Sequence, residues 1–315
     1  MTMWQPSASI AVLRKRAIII NTIRTFFHER NYLEVETPIM ARFGTTDVYL
    51  TNIHATFRQQ TYLLQTSPEY HMKRLLAAGS GAIFQLARVF RDDELGRWHN
   101  PEFTLLEYYQ LAIDHHALLV ELDDLLQLIL ACPPLVKITY QQIFQTICNI
   151  DPFQVTISQL QTLLIRHNLH QVLNADEQDV DQYLFLLMSH IIEPALANSL
   201  CPVAIYDFPP SQASLAKVNN GYAERFEIYF KGVELANGFH ELTDSHAQKL
   251  RFEQDCEQRR QHRLPAVQVD EYLLDALSYG LPACSGVAIG VDRLVALALG
   301  QSMIAENLAF DFSRA

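Results

Sequence analysis

The chain has 315 residues, 49% hydrophobic and 19% charged, a balance that suits a folded, water-soluble protein and excludes a fibrous or disordered one. Its formal net charge of −11 argues against broad electrostatic binding to nucleic acid, while a local basic surface stays compatible with it. No stretch reaches the roughly 18 uninterrupted apolar residues of a membrane span, and Asp292 and Arg293 interrupt the longest candidate. The opening MTMWQPSAS lacks the basic-then-apolar layout of a secretory signal, so a cytoplasmic protein without a membrane partner is expected. Five widely spaced cysteines form no CxxC pair, which predicts reduced thiols rather than a disulfide framework or a zinc site. The adjacent His115 and His116 read as a solvated helix start.

In chain order, Ser7 or Ser9 can cap a first helix. Ile10, Leu13, Ala17, Ile20, Ile23, Phe26 and Phe27 recur there near helical spacing, and Asn31 can end it. YLEVETPIM (residues 32–40) alternates like a strand and meets Pro38. Residues 62–64 read as a short strand. In TSPEYHMKRLLAAG, Thr66 or Ser67 can cap a helix and Pro68 suits its first turn. Glu69 falls in that first turn, where the helix dipole alone would explain a carboxylate.

FRDDELGRWHNPEFTLLEYY (residues 90–109) predicts strand, charged loop, strand. It joins guanidinium, imidazole and carboxylate groups to an aromatic ring. Cations for phosphate and a π-face for a base are what a nucleoside triphosphate requires. A charged hairpin with a structural Phe accounts for the pattern equally well. Residues 114–200 are mostly helical, with helices at 120–130, 158–168 and 180–198, and breaks at Pro133, Pro134 and Pro152. CPVAIYDFPP is a strand closed by two prolines.

RFEIYFKGVELANGFHELTD (residues 225–244) predicts a hairpin turning at Lys231 and Gly232. Glu227 and Glu234 flank the turn and could approach each other to hold a divalent cation, although hairpin glutamates are ordinarily solvated charge. Residues 245–263 form a charged helix. In YGLPACSGVAIGVDRLVALALG (residues 279–300), Ser285 and Gly286 make a turn, a strand runs over 287–290, and a helix starts near Asp292. Arg293 then lies at a helix N-terminus, where phosphate is well placed.

Taken together, these stretches resemble class II aminoacyl-tRNA synthetases of the lysyl, aspartyl and asparaginyl branch. FRxxE…RxHNPEF is similar to motif 2. The first helix, strand and Pro38 are similar to motif 1, and residues 279–300 to motif 3. TSPE and ELANGFHE are similar to lysyl-tRNA synthetase, and the resemblance runs from about residue 10 to 300. It implies an α+β fold, an antiparallel sheet flanked by helices, in one catalytic domain over 1–315, with 114–200 as a helical insertion between motifs 2 and 3. It also implies a homodimer through motif 1.

The reaction implied is activation of an amino-acid carboxylate by ATP, giving an aminoacyl-adenylate and pyrophosphate. In that resemblance Arg91 and Arg293 are catalytic and hold the α- and γ-phosphates. His99 and Asn100 steady the loop and the nucleotide, and Phe103 stacks on adenine. Asp92, Asp93, Glu234, Leu235 and Gly290 complete the ATP site, and Mg²⁺ sits at Glu227 and Glu234. Ser67, Pro68, Glu69, Glu107, Tyr109, Asn237, Glu241 and Ala288 would line the amino-acid side. So many acids fit a lysine-type substrate with two ammonium groups.

Some features depart from a lysyl enzyme. Motif 1 begins almost at the first residue, so no anticodon-binding barrel is expected. Ser67 stands where those enzymes carry Ala, Ala236 and Ala288 where they carry Gly, and Asp93 where they usually carry Glu. The pattern looks like the truncated lysyl-synthetase paralogues that attach (R)-β-lysine to a lysine of elongation factor P, which implies a protein partner and no tRNA. Three other readings stand beside it. The net charge and altered pocket speak against a compact enzyme charging a tRNA acceptor stem. The acidic pocket speaks against an asparagine-synthetase-like ligase. Retention of Arg91, Phe103, Glu227, Glu234 and Arg293 speaks against a non-catalytic regulator. No dedicated base for the acceptor amine is visible.

Overall fold

A computed structural model describes residues 4–92, 95–174 and 176–315. The chain forms two compact units, one built from the chain up to Ala131 together with His240–Ala315, the other from Cys132–Phe239. No helix among the described residues is long and apolar enough to cross a membrane.

The first unit begins with α1 (Ile10–Glu29), whose first turn is capped by the Ser9 hydroxyl accepting the Val12 N–H at 3.3 Å. Asn31 leaves the helix at φ 60°. The strand expected over 32–40 is mostly absent: only β1 (Leu33–Glu34) and β2 (Met40–Ala41) form. Pro38 between them has no N–H to give a ladder. β3 (His54–Phe57) and β4 (Gln60–Leu64) join β2 in a small antiparallel sheet of order β2-β4-β3. Then come α2 (Glu69–Ala77), β5 (Ile83–Phe90), β6 (Glu102–Leu111) and α3 (His115–Leu130). The histidine pair does open α3 behind the Asp114 cap, but His115 is buried rather than solvated.

The second unit runs through β7 (Val136–Thr139), α4 (Tyr140–Cys148), α5 (Ile157–Arg166) and α6 (Val180–Leu187). Thr139 with Gln142, and Thr156 with Gln159, form capping boxes that start α4 and α5. Helical structure continues through a π-helical turn at Met188–Ile192, α7 (Glu193–Ala195) and a 3-10 turn at Leu196–Asn198. β8 (Val203–Phe208), β9 (Val218–Asn219), β10 (Tyr222–Phe230) and β11 (Val233–His240) follow. The strand order is β11-β10-β8-β7, antiparallel except for β7 beside β8. β7 is the strand inside the stretch read as helical. The hairpin turns as expected at Lys231 (φ 53°) and Gly232 (φ 73°), the two left-handed residues of a tight β-hairpin. Tyr140, Phe144, Leu164, Leu187, Ile205 and Tyr229 fill this unit's core.

The first unit resumes with α8 (Ser245–Gln261), α9 (Glu271–Gly280), β12 (Cys284–Gly290) and α10 (Val291–Ala298). Its main strands are ordered β1-β5-β6-β12, with β5, β6 and β12 antiparallel and β1 parallel to β5. The turn expected at Ser285 and Gly286 is instead strand: they pair with Gln110 and Tyr109, because ten-residue β6 extends the ladder past them. One sheet face meets the helices. Phe27 of α1 stacks on Phe84 at 4.7 Å and lies 4.8 Å from Tyr108, all fully buried. Each such ring contributes roughly 1.5–3 kcal/mol by leaving water. Backbone bonds from Ser7 N to Ala309 O (2.8 Å) and Ala8 N to Leu308 O (3.0 Å) tie the unit's first segment to its last.

Candidate active site

Strand alternation sorts the first unit's sheet into two faces. Tyr108, Leu106 and Phe84 face the helices. Their neighbours Phe103, Leu105, Glu107 and Tyr109 face the other way. The ladders place Gln85 and Ala288 opposite Glu107, Gly286 opposite Tyr109, and Gly290 opposite Leu105. Acids and aromatics on β6 therefore share one surface with the small residues of β12.

Three carboxylates gather there. Glu107 is 2% exposed. Its Oε2 accepts the Ser67 hydroxyl at 2.7 Å and its Oε1 accepts the Tyr109 hydroxyl at 2.7 Å. Burial, and then the negative charge of Glu69, push the Glu107 carboxyl up to about 8. Glu241 is also 2% exposed, and burial raises it to about 7 against the pull of Lys73. Lys73 Nζ sits 2.6 Å from Glu69 Oε1 and 2.6 Å from Glu241 Oε2. Ser67 also accepts the Glu69 N–H at 3.0 Å, and Pro68 stands at the helix cap, so the start of α2 is fixed around this pocket. Ala288 packs with Phe103 beside Ala87, Val89 and Leu105.

At the β5–β6 end, the Arg91 guanidinium lies 5.1 Å above the Phe103 ring, and the Arg91 N–H bonds Pro101 O at 3.0 Å. Arg293, in the first turn of α10, donates to Trp98 O at 3.1 Å and lies 2.6 Å from His99 Nε2. A guanidinium has no acceptor, so this His99 nitrogen is unprotonated. Two cations, an aromatic face and a helix N-terminus thus belong to one unit. The neighbouring Asp292 instead pairs with Arg16 at 2.6 Å and accepts the Thr104 N–H at 2.9 Å. Asn100 spends its amide on the backbone, donating to Glu102 O (2.6 Å) and accepting from Phe312 N (3.1 Å). Asp92 N–H bonds Thr51 O at 3.0 Å. Asp93 lies outside the described residues.

The second unit carries Glu227, Glu234, Leu235 and Asn237. Glu227 pairs across the hairpin with Asn237, and Tyr229 with Glu234, next to a register shift between Ile228 and Tyr229. Glu227 pairs with Arg225 and accepts the Tyr229 hydroxyl at 2.6 Å. Burial raises the Glu227 carboxyl, Arg225 opposes that, and the like charge of Glu234 adds to it. A divalent cation would relieve this repulsion, and each bonded carboxylate oxygen keeps a lone pair, so the pair fits a metal. Asn237 Oδ1 is buried with no hydrogen-bond partner among the described residues, and Leu235 is buried.

Three residues escaped the sequence reading. Lys73 is 2% exposed; its signal was its position four residues after Glu69, on the same helix face. Gln85 faces Glu107 from β5, and its buried Oε1 has no partner among the described residues. At Gly286 an added Cβ would lie 2.3 Å from the Tyr109 ring and 2.8 Å from Glu241 Oε1.

Comparison with known proteins adds independent findings. A family model described as tRNA synthetases class II (D, K and N) matches residues 2–314. The chain is 50% identical over 321 residues to the elongation factor P–(R)-β-lysine ligase of Pasteurella multocida (strain Pm70), covering 99% of this chain and 98% of that protein. Proteins of the same name from Salmonella paratyphi A (strain ATCC 9150 / SARB42) and Salmonella arizonae match at 50% and 49% identity, each with the same coverage.

Proposed function

Because this chain belongs to the class II tRNA synthetases of the D, K and N group, we propose that it activates (R)-β-lysine with ATP and passes it to a lysine of elongation factor P. The amino acid and acceptor come from the name carried by relatives at 50% identity. The observation that carries the reading is the buried carboxylate pocket. Lys73 pairs with Glu69 and Glu241, while Glu107 is held by the Ser67 and Tyr109 hydroxyls, so three carboxyl groups face one lysine and have capacity for the two ammonium groups of a diamino acid.

In the first step a carboxylate oxygen of the substrate attacks the α-phosphorus, and the bond to pyrophosphate breaks. The protein's task is alignment and charge neutralisation. Arg91 is assigned to the α-phosphate and Phe103 to the adenine face. Arg293, oriented by Trp98 O and His99, is assigned to the γ-phosphate. Mg²⁺ held at Glu227 and Glu234 would neutralise phosphate charge. Ser67 and Tyr109 hold Glu107 in place for an ammonium group. In the second step the ε-amine of the acceptor lysine attacks the acyl carbon, AMP leaves, and the amine gives up its proton.

A homodimer through α1 and the strands after it belongs to the same reading. Ile10, Ile18, Leu33, Ile39 and Met40 are exposed along this stretch, as an interface would require. The net charge of −11 disfavours tRNA as the acceptor.

The test mixes the protein with ATP, Mg²⁺ and (R)-β-lysine, then adds elongation factor P or lysine tRNA and records mass spectra. A gain of one lysyl unit on the protein alone supports the proposal. Charging of the tRNA alone makes this a compact synthetase and refutes it.

A further inference from the structure

We infer that Lys73 is a positioning residue of the amino-acid pocket, a resident buried ammonium that fixes Glu69 and Glu241 as receptors for the substrate's ammonium groups. This rests on the reading above for the identity of the substrate, while the role of Lys73 rests on geometry. Its Nζ lies 2.6 Å from both carboxylates, and its side chain is 2% exposed.

Stability alone does not account for such a residue. Burying an ammonium costs several kcal/mol, and an apolar side chain of similar volume usually serves a core equally well. The two partners of Lys73 explain its place. Glu69 opens α2 and Glu241 follows β11, far apart in sequence, and one ammonium binds both. Left alone, two carboxylates in a pocket repel and one takes up a proton. With Lys73 between them both can stay ionised.

The charges then balance on binding. Burial raises Glu107 and Glu241 in the empty pocket, and an incoming ammonium group favours their ionised forms, so that with Glu69 they can supply three negative charges once substrate is bound. Lys73 and a diamino acid supply three positive ones. The titratable groups around the pocket are Glu69 and Tyr70 on α2, Glu107 and Tyr109 on β6, Glu241, and Cys284 on β12. Burial pushes the Lys73 ammonium down, but Glu241 and Glu69 outweigh it and hold it above its usual value. Lys73 is thus the pocket's permanent cation.

The test is Lys73→Met in the full chain, read in two ways. Infrared titration of protonated carboxyl groups between pH 6 and 9 needs no substrate. Loss of the ammonium should move the acid titration upward by about one pH unit or more. Superimposable curves would overturn the inference. Second, in amino-acid-dependent ATP–pyrophosphate exchange, KM for the diamino acid should rise at least about 10-fold while KM for ATP stays within about twofold. A fall in kcat with an unchanged amino-acid KM would indicate a merely structural lysine. If Lys73→Met does not fold, Lys73→Met/Glu69→Gln removes the ion pair as a pair and takes the same infrared measurement for Glu241. A wild-type protein that activates no lysine would refute the proposed function, and the infrared result would still decide the role of Lys73.

Discussion

Adding one methyl group at Gly286 should disable the amino-acid pocket while leaving the fold recognisable. The Cβ of Gly286→Ala would stand 2.3 Å from the Tyr109 Cε1 and 2.8 Å from Glu241 Oε1. Carbon atoms rest about 3.5 Å apart, so the ring must retreat by about 1.2 Å. The backbones of Gly286 and Tyr109 are ladder partners, so the ring can yield only by swinging from its present direction. That swing takes its hydroxyl off Glu107, now 2.7 Å away. Overpacking costs about 1–3 kcal/mol, and a lost hydrogen bond to a carboxylate about 1.5–3 kcal/mol. A pocket displaced by ~1 Å commonly loses ~100-fold in rate. Melting followed by circular dichroism should show a drop of several degrees, and lysine-dependent pyrophosphate exchange should fall by about 100-fold. Gly290→Ala is the stability control, since its Cβ meets nothing closer than 3.5 Å. If Gly286→Ala melts and exchanges like wild type, the close packing of β12 on the pocket is wrong.

Ala288→Gly removes a methyl directly across the ladder from Glu107, and the ratio of α-lysine to β-lysine exchange rates should rise; an unchanged ratio sinks the pocket argument. Arg293→Ala should abolish ATP-dependent exchange, because the guanidinium held by Trp98 O and His99 is gone, and full retained activity would refute its phosphate role. Glu107 has a folded-state pKa near 8, above the usual carboxyl value, so the folded state binds more protons than the unfolded one between those values. Its contribution to stability is present at low pH and lost as pH rises toward 8. Glu107→Gln should therefore raise the melting temperature relative to wild type more at pH 9 than at pH 6, and an equal change at both would count against a buried, raised carboxyl.

Much of this architecture could be read from the chain because local signals agreed with the fold. Ser9, one of the two caps expected, starts α1, and the Lys231–Gly232 turn sets the β10–β11 hairpin. The capping boxes of Thr139 and Thr156 are local signals too, but they escaped the sequence reading, and α4 is not singled out in it. What else escaped reading depended on partners distant in sequence. β12 takes in Ser285 and Gly286 because Gln110 and Tyr109, some 175 positions earlier, are there to pair with them. β7 is a strand because β8 accepts it in parallel. The carboxylates Glu69, Glu107 and Glu241 were each visible, but the ammonium joining two of them was not. A lysine in a helix reads as solvated until Glu241, 168 residues later, comes to it. Asn100 is a polar residue in a charged loop whose amide serves Glu102 and Phe312, a use no local pattern announces.

The first unit is split in sequence, and the bonds from Ser7 and Ala8 to Ala309 and Leu308 close it. On the ribosome this sets an order of events. Residues 132–239 are contiguous, so the chain of the second unit is complete before β12 and α10 are made. The stretch before them has β5 and β6 but waits for β12 and α10. At ~5–20 residues per second, the 59 residues from 240 to the end of α10 at Ala298 take roughly 3–12 s to synthesise. Until β12 is made, the edge of β6 that it will pair with has no strand partner, and an unpaired edge is open to association with other chains.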